Sequence, residues 1–193
     1  MNLPNQLTIA RLGITAIFSI AIEGEWYMAR TTALLLFAAA SITDYADGYI
    51  ARRDNLVTDF GKLMDPLADK ILMAAALFGL VAVDSFSAWV ATAIISREFL
   101  VTGLRQIAAA KSIVLPAERI GKHKTIWQMV MILYFLVLKT AEEWAKYKIV
   151  PELAYRDFFE KWVGGVLVAL SLILTVGSGV RYVWKNRHLI EDR

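Results

Sequence analysis

Asp44, Asp47, Asp54, Asp59, Asp65 and Asp69 crowd into one short stretch between two strongly apolar runs. Four of them fall at helical spacing. Asp44 and Asp47 stand at i, i+3, and Asp65 and Asp69 at i, i+4, so each pair shares one helix face. Gly48 and Ala51 continue the first stripe, and Arg52 follows. Two helix ends joined by a short loop containing Gly61 thus present four carboxylates to each other. Like charges so close are untenable without cations. The donor set is all oxygen, because the chain has no cysteine and no histidine nearby. Such a set favours hard divalent ions, Mg²⁺ or Mn²⁺. Two such ions bridged by carboxylates suit displacement at phosphorus. The small Gly48 and Ala51 leave room for a bulky, flat or phosphorylated ligand to reach the backbone. Asp54 and Asp59 are assigned to the loop, in solvent or paired with Arg53 and Lys62.

The elements that must carry these groups are unusually apolar. The 193 residues are 58% hydrophobic, and the mean hydropathy is +0.50. That composition points to an all-α, polytopic membrane protein rather than a soluble domain. A net charge of only +3 implies no nucleic-acid partner. The start, MNLPNQLTIARLG, lacks a basic leader region and a small-residue cleavage site, so it is read as part of the mature chain. Six transmembrane helices are expected, over 7–22, 29–51, 66–83, 86–108, 120–139 and 160–182. No linker divides them, and 1–193 is read as a single domain without internal repeats.

The uncharged runs inside five of these helices are short. Thirteen residues separate Arg30 from Asp44 and thirteen separate Lys70 from Asp84. At about 1.5 Å per residue each covers roughly 20 Å of a hydrocarbon core about 30 Å thick. Only the last helix, between Lys161 and Arg181, has a full-length uncharged run. With alternating helix directions, the polar ends fall on one side, as a polar cavity cut into one leaflet. That side also carries Arg52, Arg53, Lys62, Lys111 and the basic residues near 119–124. The positive-inside rule therefore places the cavity and both termini in the cytoplasmic leaflet. The mixed segment 139–161 is expected at the outer interface.

The full spacing, Asp44-x2-Asp47-Gly48-x2-Ala51-Arg52-x8-Gly61-x3-Asp65-x3-Asp69, resembles the signature of the CDP-alcohol phosphotransferase family at every position. PNQLTIAR, SREFLVTGLR and GKHKTIWQ further resemble the bacterial branch that makes phosphatidylglycerophosphate, so the likeness covers nearly the whole chain. The resemblance implies a six-helix enzyme of the bacterial cell membrane, commonly a homodimer. It implies transfer of the phosphatidyl group from CDP-diacylglycerol to sn-glycerol 3-phosphate, with CMP as the other product. It assigns metal binding to Asp44, Asp47, Asp65 and Asp69, and the general-base role to Asp69. It assigns Gly48, Ala51, Arg52 and Gly61 to the CDP-diacylglycerol side.

The remaining polar residues divide by ligand. Asn5, Thr8 and Arg11 recur at steps of three, a broad face suited to the nucleotide pocket. Arg105, Arg119, Lys122 and Lys124 surround the connection between the fourth and fifth helices, where a phosphorylated acceptor needs cations. Arg97 and Glu98 read as a structural ion pair. Alternative acceptors are inositol phosphate, a second phosphatidylglycerol or serine; the basic patch favours a phosphorylated one. A metal or proton transporter would also use intramembrane carboxylates. It would need access from both sides and usually an internal repeat, and the outer apolar runs argue against it.

Overall fold

The computed structural model describes residues 3–53, 59–111, 113, 119–151 and 156–187, with side-chain surroundings for 5–43, 64–111, 113, 124–151 and 157–187. The described residues form α1 (Leu3–Glu23), α2 (Ala29–Arg53), α3 (Asp59–Ala82), α4 (Ala88–Ala110), α5 (Arg119–Lys146), the single turn α6 (Arg156–Phe158), a π-helical turn (Phe159–Val163) and α7 (Gly164–Lys185). The protein is an all-α, polytopic membrane protein. Three helical stretches are long and apolar enough to cross a membrane unaided: Asn5–Glu23, Lys124–Lys146 and Phe159–Lys185. In α2, α3 and α4 charged residues interrupt the apolar window, for the reason already read in the sequence. Ala29–Thr43 remains as a shorter apolar stretch within α2.

The chain divides into two compact units. Unit 1 comprises Met1–Ser85 and Phe135–Ala154, and unit 2 comprises Phe86–Tyr134 and Tyr155–Arg193. In unit 1, α1 packs against both α2 and α3. Its buried stripe is Thr8, Arg11, Thr15, Phe18 and Ile22, at steps of three and four. Ala68, Leu72, Ala76 and Leu80 form the matching stripe on α3, and Ala33, Phe37 and Ala40 that on α2. One face per helix is therefore apolar along most of its length and polar at one end. Phe18 and Phe37 meet at 5.8 Å between ring centroids.

Two contacts fix how α1 and α3 run. Thr8 reaches Asp65 across a sequence separation of 57. A Cβ placed on Gly79 would come within 2.5 Å of Ile22 Cγ2. The offset is the same at both ends, so the helices lie parallel and in register over about four turns, roughly 21 Å. Gly79 is where their backbones approach too closely for any side chain.

The helices extend beyond the apolar runs that announced them. Asp59 begins α3 rather than lying in the preceding loop, and Asp54 lies outside the described residues. The fifth helix does not stop at Lys139 but continues to Lys146. Its last turns hold α2 by the amino end. The Glu143 carboxylate accepts from the backbone N–H groups of Arg30 (2.8 Å) and Thr31 (2.9 Å) and from the Thr31 hydroxyl (2.7 Å). Trp144 donates its indole N–H to the same hydroxyl at 2.8 Å. A helix start has unpaired N–H groups and a positive dipole end, and a carboxylate answers both.

In unit 2, α4 packs against α7. Val101, Leu104 and Tyr182 are buried together, with Val183 against them. Residues such as Trp89, Ile173 and Trp184 stay exposed, as lipid-facing side chains do.

Gly79→Ala should cost about 1–3 kcal/mol, the usual range for overpacking. The Gly79→Ala/Ile22→Ala double variant should lose less than the sum of its two single variants, because the clash is then gone. Denaturant unfolding of the four proteins in detergent measures this; strict additivity would mean that the close approach of α1 and α3 has been misplaced.

Candidate metal and phosphoryl-transfer site

The polar end of unit 1 collects the starts of α1 and α3. Thr8 donates its hydroxyl to Asp65 Oδ1 at 2.5 Å. Thr8 is fully buried and Asp65 partly so. The bond fixes one carboxylate oxygen and leaves the other directed by it, which is how a neighbouring hydroxyl orients a ligating carboxylate. Asp69 is one turn further on, partly buried, on the same face of α3. By register that face continues into the buried Leu72 and Ala76. Pro66 removes one rung from the α3 ladder between the two aspartates.

On α2, the backbone register carries the stripe Ala33–Phe37–Ala40 into Asp44, Asp47 and Ala51. The side chains of Asp44, Asp47, Gly48, Ala51, Arg52 and Gly61 lie outside the described residues, so the structure gives their helices and not their contacts. α2 and α3 also pack against one another, and five residues link them. Two carboxylate pairs thus continue the contact faces of neighbouring helices. The donor chemistry fits a hard divalent cation: carboxylates only, with one of them held by a hydroxyl and no thiol or imidazole in the set.

Asn5 is partly buried near the start of α1. Arg11 is fully buried, one turn beyond Thr8 on the same stripe. A guanidinium withdrawn from solvent in a membrane protein is costly, and this one sits at the polar end where anionic groups gather. α1 and α3 both point their amino ends to this side, which favours anions there.

The basic residues expected to hold an acceptor belong to unit 2, where their roles differ. Arg105 is exposed; its Nε donates to the Tyr182 hydroxyl at 3.2 Å and its guanidinium lies 5.6 Å from that ring's centroid. Lys124 is 5% exposed. Its ammonium bonds to Glu98 Oε1, the same oxygen that Arg97 Nη1 approaches at 3.2 Å. Arg97 Nη2 in turn donates to Ser178 Oγ at 3.0 Å. Gln128 Nε2 donates to Thr175 Oγ1 at 2.8 Å one turn away. Glu98 therefore sits between two cations and is the hub of a polar spine joining α4, α5 and α7. Arg119 and Lys122 fall on the first turn of α5, with side chains outside the described residues.

A family model for CDP-alcohol phosphatidyltransferase matches residues 1–177, through both units. The chain belongs to the CDP-alcohol phosphatidyltransferase family. These are divalent-metal-dependent transferases, which agrees with the donor set on α2 and α3. Among the relatives is the CDP-diacylglycerol–glycerol-3-phosphate 3-phosphatidyltransferase of Bacillus subtilis (strain 168), 39% identical, with 96% of this chain and 95% of the relative covered. The proteins of the same name from Rickettsia felis and Rickettsia typhi are each 38% identical over 94% of this chain, and over 93% and 94% of their own lengths. The similarity thus runs along almost the full length of the chain, through the Asp-rich stretch.

Sequence reasoning missed three polar contacts: Thr8 with Asp65, Glu98 with Lys124, and Glu143 with the start of α2. Thr8 and Glu98 each had a signal, a polar residue on an otherwise buried stripe, but nothing in the spacing named the partner.

Thr8→Val keeps the shape and removes the hydroxyl. Activity or metal affinity should fall about 10–100-fold, the range for outer partners of metal-binding carboxylates, while Thr8→Ser should stay near wild type. Titrating activity against metal for both variants checks this. A Thr8→Ser variant as poor as Thr8→Val would mean that the methyl group, and not the hydrogen bond, matters.

Proposed function

We propose that the protein transfers the phosphatidyl group from CDP-diacylglycerol to sn-glycerol 3-phosphate, forming phosphatidylglycerophosphate and releasing CMP. The observation that carries this is full-length similarity to relatives bearing that activity in their names, joined to the eight-position carboxylate signature. The basic residues near the start of α5 support a phosphorylated acceptor over serine. The uninterrupted family match across both units supports treating 1–193 as one working domain.

Asp44, Asp47, Asp65 and Asp69 would hold two divalent ions, Mg²⁺ or Mn²⁺, which when bound would supply positive charge opposite the pyrophosphate and departing CMP. The chain's own groups do the rest. Asp69 takes the proton from the acceptor hydroxyl as its oxygen bonds to the phosphorus that carries diacylglycerol. The bond from that phosphorus to the CMP phosphate oxygen breaks, and its electron pair leaves with CMP. Thr8 fixes Asp65; Asn5 and Arg11 line the nucleotide side with Gly48, Ala51, Arg52 and Gly61. Arg105, Arg119, Lys122 and Lys124 hold the acceptor's phosphate, and Glu98 keeps the Lys124 ammonium in place. The excess of Lys and Arg around the polar helix ends favours a cytoplasmic active site and cytoplasmic termini in a bacterial inner membrane. We further propose a homodimer as the working form.

The test is CMP release by purified protein given CDP-diacylglycerol and each acceptor in turn. Glycerol 3-phosphate should be preferred, and EDTA should abolish turnover; preference for inositol phosphate, phosphatidylglycerol or serine would replace the acceptor assigned here. Asp69→Asn should lower kcat by at least about 10²–10⁴-fold, the usual loss with a general base. Arg119→Ala should raise KM for glycerol 3-phosphate about 10–150-fold, one charge-assisted contact, with KM for the donor unchanged. A shift in the donor KM instead would reverse the division of ligands.

A further inference from the structure

Unit 2 contains a groove of ≈ 510 Å³ between α4 and α7. Val176, Val180, Val183 and Trp184 line it from α7, at steps of three and four. Ala93 and Leu100 line it from α4. Its floor is formed where a bare glycine lets the helices close: a Cβ on Gly179 would stand 2.6 Å from Arg97 Cγ. The Arg97 stem thus lies along the floor, with its guanidinium turned to Glu98 and Ser178. The walls stand open, since Val180 is 62% and Trp184 70% exposed.

One end of this trough is cationic. Arg187 lines it and lies over the Trp184 ring, 5.1 Å from the centroid. Arg181 and Lys185 are also exposed on the last turns of α7, and residues 164–187 contain no acid. The apolar helical stretch ends at Lys185, so Arg187 sits at headgroup depth with Trp184 as its interfacial neighbour. From Arg187 back to Val176 is about 16 Å of helix, and the groove enters the uncharged run of α7 below Arg181. An apolar channel that runs into the bilayer from a cationic rim matches an acyl chain hanging from a phosphate. A second copy of the chain fits less well. Two copies in one membrane sit at the same depth, so the α7 cations of both would meet at the rim.

We propose that this groove holds one acyl chain of a resident anionic phospholipid, with the lipid phosphate on Arg187. The resident lipid, and not the CDP-diacylglycerol donor, is the occupant: none of the lining residues belongs to the eight-position signature.

The experiment uses the full chain in phosphatidylcholine nanodiscs without metal or donor. Phosphatidylglycerol brominated in its acyl chains is titrated in, and the Trp184 signal is read as wild type minus Trp184→Phe. Quenching should saturate at a mole fraction at least tenfold below that needed with brominated phosphatidylcholine. Arg187→Ala should erase that preference, Arg187→Lys should keep most of it, and Val180→Phe should weaken quenching by filling the trough. All three substitutions are at exposed positions. Equal quenching by the two lipids, or an unchanged preference in Arg187→Ala, overturns the proposal. Displacement by stoichiometric CDP-diacylglycerol also overturns it by giving the groove to the donor. A change of oligomeric state in Val180→Phe overturns it by giving the groove to a second copy.

Discussion

An ionised group held within the thickness of a membrane must be answered by a partner, and most of this structure follows from that constraint. Solvation lost to the bilayer is worth several kcal/mol per charge. Three carboxylates inside the helices show it. Asp65 takes a hydroxyl from Thr8. Glu98 is shared by Lys124 and Arg97. Glu143 is spent on the open N–H groups at the start of α2. The family's dependence on divalent metal is an answer of the same kind, a cation set among carboxylates.

The same constraint explains why the polar groups lie where they do on each helix. They continue the buried stripes. On α1 the stripe passes from Ile22 and Phe18 to Arg11 and Thr8. On α3 it passes from Leu80 and Ala76 to Asp69 and Asp65. Placed on any other face, these groups would meet lipid. Because the stripes are contact faces, the helix packing that buries Phe18 and Leu72 also delivers Thr8 to Asp65. Small residues make this possible. Ala33, Ala40, Ala68 and Ala76 keep the helices close, and Gly79 allows the far ends of α1 and α3 to touch. Close approach matters more in a bilayer, where burial of apolar surface supplies little drive and packing supplies most of it.

The proposed reaction suits such a framework. A lipid-linked pyrophosphate has its acyl chains in hydrocarbon and its phosphates in water, and helices that turn polar part-way along offer both environments on one face. The polar spine of unit 2 has a related logic. Lys124 is almost fully buried, and its ammonium is answered by the Glu98 carboxylate. Arg97 approaches the same Glu98 oxygen, so this carboxylate lies between two cations.

The all-α membrane fold and the family were legible in the chain alone, as was the helical spacing of the aspartates on α2 and α3. Hydropathy marks helices because every backbone polar group in a bilayer must be bonded within the helix. The aspartates could be paired because i, i+3 and i, i+4 spacing is a local property of one helix. The tertiary structure alone decided which groups answer which charges. Thr8 was read as a nucleotide-side residue, Lys124 as an acceptor cation, and the fifth helix as ending at Lys139. The structure joins Thr8 to Asp65 and Lys124 to Glu98, and it carries α5 on to Lys146 so that Glu143 reaches α2. These pairs lie 57, 26 and more than 100 residues apart. Periodicity says which face of a helix is buried, but not which turn of a neighbour it meets. That register is set by side-chain volumes summed along whole helices, down to the absence of a single Cβ at Gly79.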